Sequence, residues 1–420
     1  MAIINDTDTL VTYYYDVKSV NICFKNNDDG DSTNTKVLKP EQLKSLYILN
    51  DYMGNMFPVI QAKFSMSAKL YYRIIRNKDT VKFAFNIRKY YTKRSSEDKS
   101  LYEKYINKSF SLILDDDDED LYSKVREKNN GSDQSEEDLK EQAQEVEFYL
   151  FRSDLIKSTK KTINKIFQES TITNAIAFIL GKMKVHDMIM TKADNGTIYN
   201  PIIIPPMKYS EALKYLDTFY GIHKTGTLTY FGLTRSYMVK FEGKCSAYEK
   251  NEIKDVVIII PEAGSSTTQA SCSVLKKGSS KKYYLIADYD TVEFSNESVT
   301  DSLLNGSEVE IINTNSGKIE TTASKTDDSK AIIENMGKNK YFKSIYKKLK
   351  AGLNKVITLD FDDIDLDALE PNKKFTFNFE DSSLSKKYKG TYILGKSEIA
   401  LGRSGEDLHV TAHCTFYSDS

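Results

Sequence analysis

The chain has 420 residues, with 59 basic and 60 acidic side chains and a formal net charge of −1. That balance excludes overall charge as a means of holding nucleic acid or an anionic membrane, and the length allows roughly two to four domains. Cys23, Cys245, Cys272 and Cys414 lie far apart with no CxxC pair, which argues against a disulfide framework and a structural zinc site.

The opening "MAIINDTDTLV" has no basic stretch followed by an apolar one, and no later run approaches the ~18 apolar residues of a membrane span. The expectation is a soluble protein made in a reducing cytoplasm. With 28 tyrosines, 20 phenylalanines and only 7 prolines, the chain favours half-buried pleated surfaces. A β-rich α+β protein is expected.

Residues 9–25, "TLVTYYYDVKSVNICFK", predict one or two strands broken near residues 16–19. In "EQLKSLYILNDYMGNMF" (41–57), Leu43, Leu46, Tyr47, Leu49 and Met53 recur at near-helical spacing before Gly54, which predicts a helix. "PVIQAKFSM" alternates Ile60, Ala62, Phe64 and Met66 with polar residues, and "TVKFAFNIRKYY" does the same with Val81, Phe83, Phe85 and Ile87. Both are half-buried strands, with "LYYRIIRN" (70–77) a short crossing helix between them. "SFSLIL" (109–114) runs into residues 115–145, which hold 13 acidic and 4 basic residues. Such a run cannot bury enough apolar surface to offset its ordering entropy. It is expected to be a solvated insertion, with some helix over 135–144, before "EVEFYLFR" (145–152) resumes a strand.

From residue 155 the texture changes. "DLIKSTKKTINKIF" and "TITNAIAFILGKM" predict helices, the second capped by Thr171 or Thr173. "VHDMIMTKADNGTIYNPIIIPP" predicts strand, Asn-Gly turn, strand. A helix follows with Ala212, Leu213, Leu216, Phe219 and Tyr220 on its apolar face, Ser210 as N-cap and Gly221 as its stop. "TLTYFG" and "SYMVKF" predict a closing hairpin. Residues 156–240 thus form a small α+β unit.

Beyond it, "EIKDVVIIIPE" is an apolar strand, residues 263–282 are a Ser/Thr/Gly-rich loop, and "YYLIADYDTVEF" is another strand. "SEVEIINTNSGKIETT" predicts a hairpin followed by a polar linker. "GKNKYFKSIYKKLK" (337–350) predicts a basic helix with Tyr341, Ile345 and Leu349 packed on its own domain. Its six lysines fall short of stable membrane anchoring. Four C-terminal strands close the chain: "KVITLDFDDIDLD", "KKFTFNFED", "GTYILGKSEIALGR" and "EDLHVTAHCTFYS".

Reactive constellations are scarce. Among His186, His223, His409 and His413, the last two share a strand face but sit ~13 Å apart, too far to chelate one metal. "DFDDIDLD" (360–367) lacks the glycine and glutamate of a calcium loop, and an acidic stretch facing solvent is expected. "GSSTTQAS" lacks a phosphate-binding lysine, there is no GxSxG elbow, and no two acids stand out as a general acid and base. No catalytic, cofactor-binding or metal-binding residue is assigned, no cofactor is expected, and the chain is expected not to be an enzyme.

Residues 194–232, "DNGTIYNPIIIPPMKYSEALKYLDTFYGIHKTGTLTYFG", resemble the central module of baseplate hub proteins of contractile-tailed bacteriophages. In that group an "IIPP" strand, an "ALkyLd" helix, a "YGiyktG" turn and an aromatic strand follow one another; Gly232 stands where an acid is usual. "NDYMGNMFPVIQAKFSM" to "VKFAFNIRKYY" is similar to the first tube-like barrel of such hubs, and "YKGTYILGKSEIALGRSGEDLHVTAHCTFYS" to the late strands of the second. The resemblance implies two tail-tube-like antiparallel β-barrel domains flanking a small α+β domain. The divisions would be 1–155 with the acidic insertion at 115–145, 156–240, and 241–420 with loop and helical insertions. It further implies a structural virion protein made in the host cytoplasm: a homotrimer whose six barrels join a hexameric tail tube to a trimeric central spike. Its partners would be the tube protein, the spike protein and other baseplate proteins. DNA would only pass through the lumen, and no stable membrane binding is expected. The alternatives are another tail or baseplate component (a wedge or adaptor) and, further off, a tail-associated cell-wall hydrolase.

Overall fold

The computed structural model of the chain describes residues 9–25, 34–93, 99–113, 143–223, 227–240, 255–261, 273–275, 282–287, 289–295, 308–313, 318–322, 330–335, 355–371, 373–405 and 407–418. Residues 115–142 of the acidic run, most of the Ser/Thr/Gly-rich loop and the basic segment 337–350 lie outside them.

Strand β1 (Thr9–Cys23) is continuous where a break was expected. Tyr13, Tyr15 and Val17 face the core, and so do Val20 and Ile22, an odd-numbered step away. The register against β5 (Lys82–Lys93) shifts between Val17 and Ser19, so a β-bulge at exposed Lys18 absorbs the extra residue and restores the phase.

The expected helix over 41–57 is instead a three-residue 3-10 turn (Pro40–Gln42) and strand β3 (Leu43–Asp51). Leu43, Leu46, Ile48 and Asn50 are buried, and a register shift between Leu43 and Ser45 hides the two-residue period in a pattern that imitates a helix. Strands on both edges settle the choice, because β3 pairs with β4 (Val59–Ser67) and with β24 (Ile393–Ser404). The Asp51 carboxylate ends the strand by accepting the Met53 and Gly54 N–H groups at 3.1 and 2.8 Å. Helix α1 (Ala68–Arg76) follows β4, capped by the Ser67 hydroxyl.

Strands β6 (Lys99–Ile113) and β7 (Ala143–Arg152) complete the N-terminal set. From the C-terminal part come β15 (Asp255–Ile260), β16 (Ser273–Leu275), β17 (Lys282–Ile286), β18 (Glu293–Ser295), β22 (Lys355–Asp362), β23 (Lys374–Phe379) and β25 (Asp407–Ser418). All join one 15-stranded sheet in the order β18-β22-β25-β24-β3-β4-β7-β6-β5-β1-β16-β17-β15-β23, with β2 (Thr35–Leu38) beside β1. The path returns on itself where Tyr15 of β1 faces Leu408 of β25. One core cluster therefore draws Tyr15, Phe64, Phe83 and Phe148 together with Leu359, Phe375, Leu401 and Phe416. The expected strand "YYLIADYDTVEF" is divided into β17 and β18 by a 3-10 turn (Tyr289–Thr291). The expected hairpin is present as β19 (Glu308–Asn313) and β20 (Lys318–Thr322), and β21 (Lys330–Asn335), beginning where the expected linker ends, pairs parallel with β19.

The middle of the chain has its own core. The helix expected through residue 167 stops early: α2 (Ser153–Lys160) gives way to β8 (Thr162–Phe167), which pairs with β12 (Ile202–Lys208). Pro205 and Pro206 sit inside β12 where its register shifts between Ile204 and Met207, as residues without an N–H to give the ladder require. Helix α3 (Ile172–Met183) is capped by Thr171, whose hydroxyl accepts the Asn174 N–H. Strand β9 (Ser170–Thr171) pairs with β11 (Ile198–Tyr199).

The strand before Asn195-Gly196, β10 (Met188–Met190), pairs parallel with β14 (Ser236–Lys240), so no hairpin forms there. Asn195 is buried instead, and its amide donates to the carbonyls of Gly221 (2.7 Å) and Tyr220 (3.1 Å). Helix α4 (Tyr209–Phe219) buries Ala212, Leu213 and Leu216 and ends at Gly221, whose φ of 74° suits glycine. Two expectations fail there. Ser210 lies buried in the first turn while Lys208 occupies the cap, its N–H accepted by Glu211; and Phe219 points outward, 55% exposed. Strand β13 (Thr227–Phe231) forms the expected hairpin with β14.

Candidate functional site

Three polar clusters lie where the N-terminal strands, the central α+β unit and the C-terminal strands meet. The first contains Lys89 of β5, only 5% exposed, whose ammonium reaches Asp365 at 2.8 Å and Asp367 at 2.6 Å. The two acids flank Leu366 at the start of a 3-10 turn (Leu366–Leu369), where the Asp365 side chain accepts the Asp367 N–H. Tyr283 of β17 also donates to Asp365, at 3.3 Å. Lys373 bonds the Asp367 carbonyl and pairs with Glu370, which lies 3.7 Å from Arg235. The acidic stretch expected to face solvent thus turns Asp365 (7% exposed) into the core. It does so because a buried lysine 276 positions earlier in the chain supplies the opposite charge.

Electrostatics differ along this cluster. Burial pushes the Asp365 carboxyl up, with the Lys89 charge offsetting only part of that. At half-exposed Asp367 desolvation pulls the same way, but Lys89, Lys373 and Arg235 together outweigh it and hold the carboxyl below the ordinary range. For Lys89 itself, desolvation is overcome by the two carboxylates, which keep it protonated.

The second cluster is a chain of neutral bonds. The Tyr230 hydroxyl donates to Asn50 Oδ1 at 2.8 Å, and the Asn50 amide donates to Ser397 Oγ at 3.1 Å. Tyr52 stacks edge-on against Tyr230 with ring centroids 4.7 Å apart. Strands β13, β3 and β24 are tied in sequence by these contacts. Between the first two clusters opens a small cleft walled by Asn50, Tyr52, Tyr230, Arg235, Asp367 and Glu370.

The third cluster centres on Arg152 at the end of β7, 2% exposed. Its guanidinium donates to Asp154 (3.1 and 2.7 Å), Asp187 (2.9 Å), the Gly232 carbonyl (2.7 Å) and Ser236 Oγ (3.3 Å). Lys108 adds a second cation 3.1 Å from Asp187. Burial raises the Asp187 carboxyl, but the Arg152 and Lys108 charges outweigh that and hold it below its ordinary value. Gly232 is required at this joint, since a Cβ there would stand 2.7 Å from the Arg235 carbonyl oxygen. Gly232→Ala is expected to lower stability by about 1–3 kcal/mol through that backbone overlap; urea unfolding of the two proteins measures it.

The clusters oppose charge to charge and bond to bond, which suits fixed joints between segments. Of the histidines weighed from sequence, His409 and His413 do share a face of β25, but each meets its own carboxylate. Asp363 lies 2.9 Å from His409 Nδ1, and Asp360 bonds His413. Buried His223 faces Thr191 Oγ1 at 3.2 Å and Asp194 at 3.9 Å, while His186 is exposed. Among the described residues no group of three or more His, Cys, Asp or Glu side chains could hold a metal, and no helix is long and apolar enough to cross a membrane. Sequence reasoning missed Lys89, Asn50 and Arg152. The available signal was a charged or amide residue at an inward position of an alternating strand, as with Asn50 after Leu46 and Ile48 and Arg152 after Phe148 and Leu150.

The family model described as Bacteriophage PBS1 gene 109 protein matches residues 11–410. Solved structures similar to the chain include the tail protein from Neisseria meningitidis MC58, with 9% identity, 96% of each chain covered and a TM-score of 0.48. Another is the 43 kDa tail protein of prophage MuSo2 from Shewanella oneidensis, with 9% identity, 96% of this chain and 97% of that chain covered, and a TM-score of 0.47. A chain of the Francisella PdpA-VgrG complex in its lidded form has 10% identity, 99% of this chain and 54% of that chain covered, and a TM-score of 0.44. Likenesses of this size assign no function. No curated protein matches the chain.

Proposed function

The chain belongs to the Bacteriophage PBS1 gene 109 protein family, and from that membership we propose that it is a structural virion protein of the phage tail, acting as its baseplate hub. The observation that carries the reading is the match to a phage family across residues 11–410. The ordered motifs of residues 194–232, which resemble the hub's central module, support it. So does the use of the buried charged residues as joints between segments, which is what a load-transmitting part needs.

In this reading the chain is no enzyme. Residues 1–155 and 241–420 supply two tube-like barrels, and residues 156–240 are the small domain hung on them. Three copies place six barrels in a ring that meets a hexameric tail tube on one side and a trimeric spike on the other, with a channel through which DNA leaves. Other baseplate proteins bind its outer surface, and the protein resides in the virion. The test is the mass of the purified full-length protein by analytical ultracentrifugation, alone and mixed with the tube and spike proteins of its phage, followed by electron microscopy along the particle axis. A trimer with an axial hole is expected. A monomer or dimer that persists in the presence of both partners overturns the hub reading.

A further inference from the structure

The two ends of the chain are interleaved. Strand β24 runs along β3 in continuous register from Lys396↔Asp51 to Gly402↔Ser45. Side chains reinforce this seam: Tyr47 donates to Glu398 at 3.0 Å, Asn50 to Ser397 at 3.1 Å, and the Arg403 guanidinium to the carbonyls of Leu43 and Pro40. At the opposite edge of the N-terminal strands, the Tyr13 N–H donates to the Asp363 carbonyl at 2.9 Å. The Tyr15 hydroxyl there accepts the Leu366 N–H at 2.9 Å and bonds the Ile364 carbonyl. Lys89 is buried against Asp365 and Asp367 from the same C-terminal stretch. Without residues 355–418, β3 would present an unpaired edge with Leu46 and Ile48 beside it, and Lys89 would lose the Asp365 and Asp367 carboxylates.

We infer that residues 355–418 form a clasp that closes the N-terminal strands, so that the strands from β1 to β7 reach their stable state only once the C-terminal segment has docked. A strand edge left open is a template for pairing with other chains. Partners such as Tyr47 and Glu398 lie 351 positions apart, and synthesis at about 5–20 residues per second leaves that edge uncovered for about 20–70 s. The clasp is thus an intramolecular edge cap whose arrival gates the closed fold. It rests on strand pairing alone and holds whether or not the hub reading does.

The test is native-state hydrogen exchange on the full chain under rising denaturant. The amides of β1, β3, β24 and β25 are expected to merge into one opening event, with a common midpoint and slope. Persistent protection of β1 and β3 at a denaturant concentration where β24 and β25 exchange freely overturns the clasp. Ile399→Ala, in the buried face of β24 opposite Ile48, adds a second readout. It is expected to lower protection in β3 and β1 by the same factor as in β24, about tenfold or more for a core truncation. A loss confined to β24 and β25 refutes the inference.

Discussion

Lys89→Met is expected to lower the unfolding free energy by about 3–5 kcal/mol, the cost of breaking a buried ion pair from one side. The methionine fills the lysine's volume, so little of the effect is cavity. What remains is the Asp365 carboxylate, buried among Ile364, Leu366 and Tyr283 after losing the larger of the charges that offset its desolvation. Asp367 is half-exposed and can turn to water, so its share is small. Lys89→Met combined with Asp365→Leu removes both buried charges, and most of the lost stability is expected to return, because a well-packed apolar pair is often as stable as the ion pair it replaces. Guanidinium unfolding of the wild type, the single and the double variant measures both. A loss under about 1 kcal/mol in the single variant, the level of exposed pairs, would show that the charge is not buried at this joint.

Arg152→Leu is expected to cost a similar amount, about 3–5 kcal/mol, by a different route. Leucine keeps the apolar stem, but the Gly232 carbonyl and the fully buried Ser236 hydroxyl lose a donor, and Asp187 keeps Lys108 and the Ser236 hydroxyl but loses the guanidinium. The loss is also pH-dependent. The folded Asp187 carboxyl is held below the ordinary 3.8. Its contribution is therefore fully present above that value and is lost as pH falls through the lower folded value. Wild-type stability is expected to decline below about pH 4 in part through this group, and Arg152→Leu to show a shallower decline there. Thermal unfolding between pH 7 and pH 3 checks it; equal slopes would remove Asp187 from the account. Asp365 works in the opposite sense to Asp367, since its raised carboxyl gains relative stability when protonated, so the Lys89 cluster contributes less acid sensitivity than two depressed acids would.

The alternation of Ile60, Ala62, Phe64 and Met66, and of Phe83, Phe85 and Ile87, was legible because a strand's two-residue period is written in adjacent positions. The Thr171 cap and the Gly221 stop were legible for the same reason, as both act within one turn of helix. Strand β3 was not. Its bulge put Leu43 and Leu46 three apart, and only pairing with β4 and β24 prefers the extended form over the helix its spacing imitates. The division between α2 and β8 was hidden likewise, because "TINKIF" becomes a strand by pairing with β12, some forty residues on. Phe219 was misplaced because helical spacing gives a face its apolar width and says nothing of how far the neighbouring elements extend over it.

What the sequence determined by itself was the β-rich class of structure, the positions of most elements, and the run of motifs at residues 194–232 that resembles the central module of phage baseplate hubs. The tertiary structure alone decided that Asp365 is a buried counter-ion and not part of a solvated acidic run, and that the C-terminal strands close the N-terminal sheet. The physical reason is the same in both cases. Periodicity and capping depend on neighbours along the chain, whereas the burial of a charge or the closure of a sheet edge depends on a partner hundreds of residues away, and a single sequence does not record which partner that is.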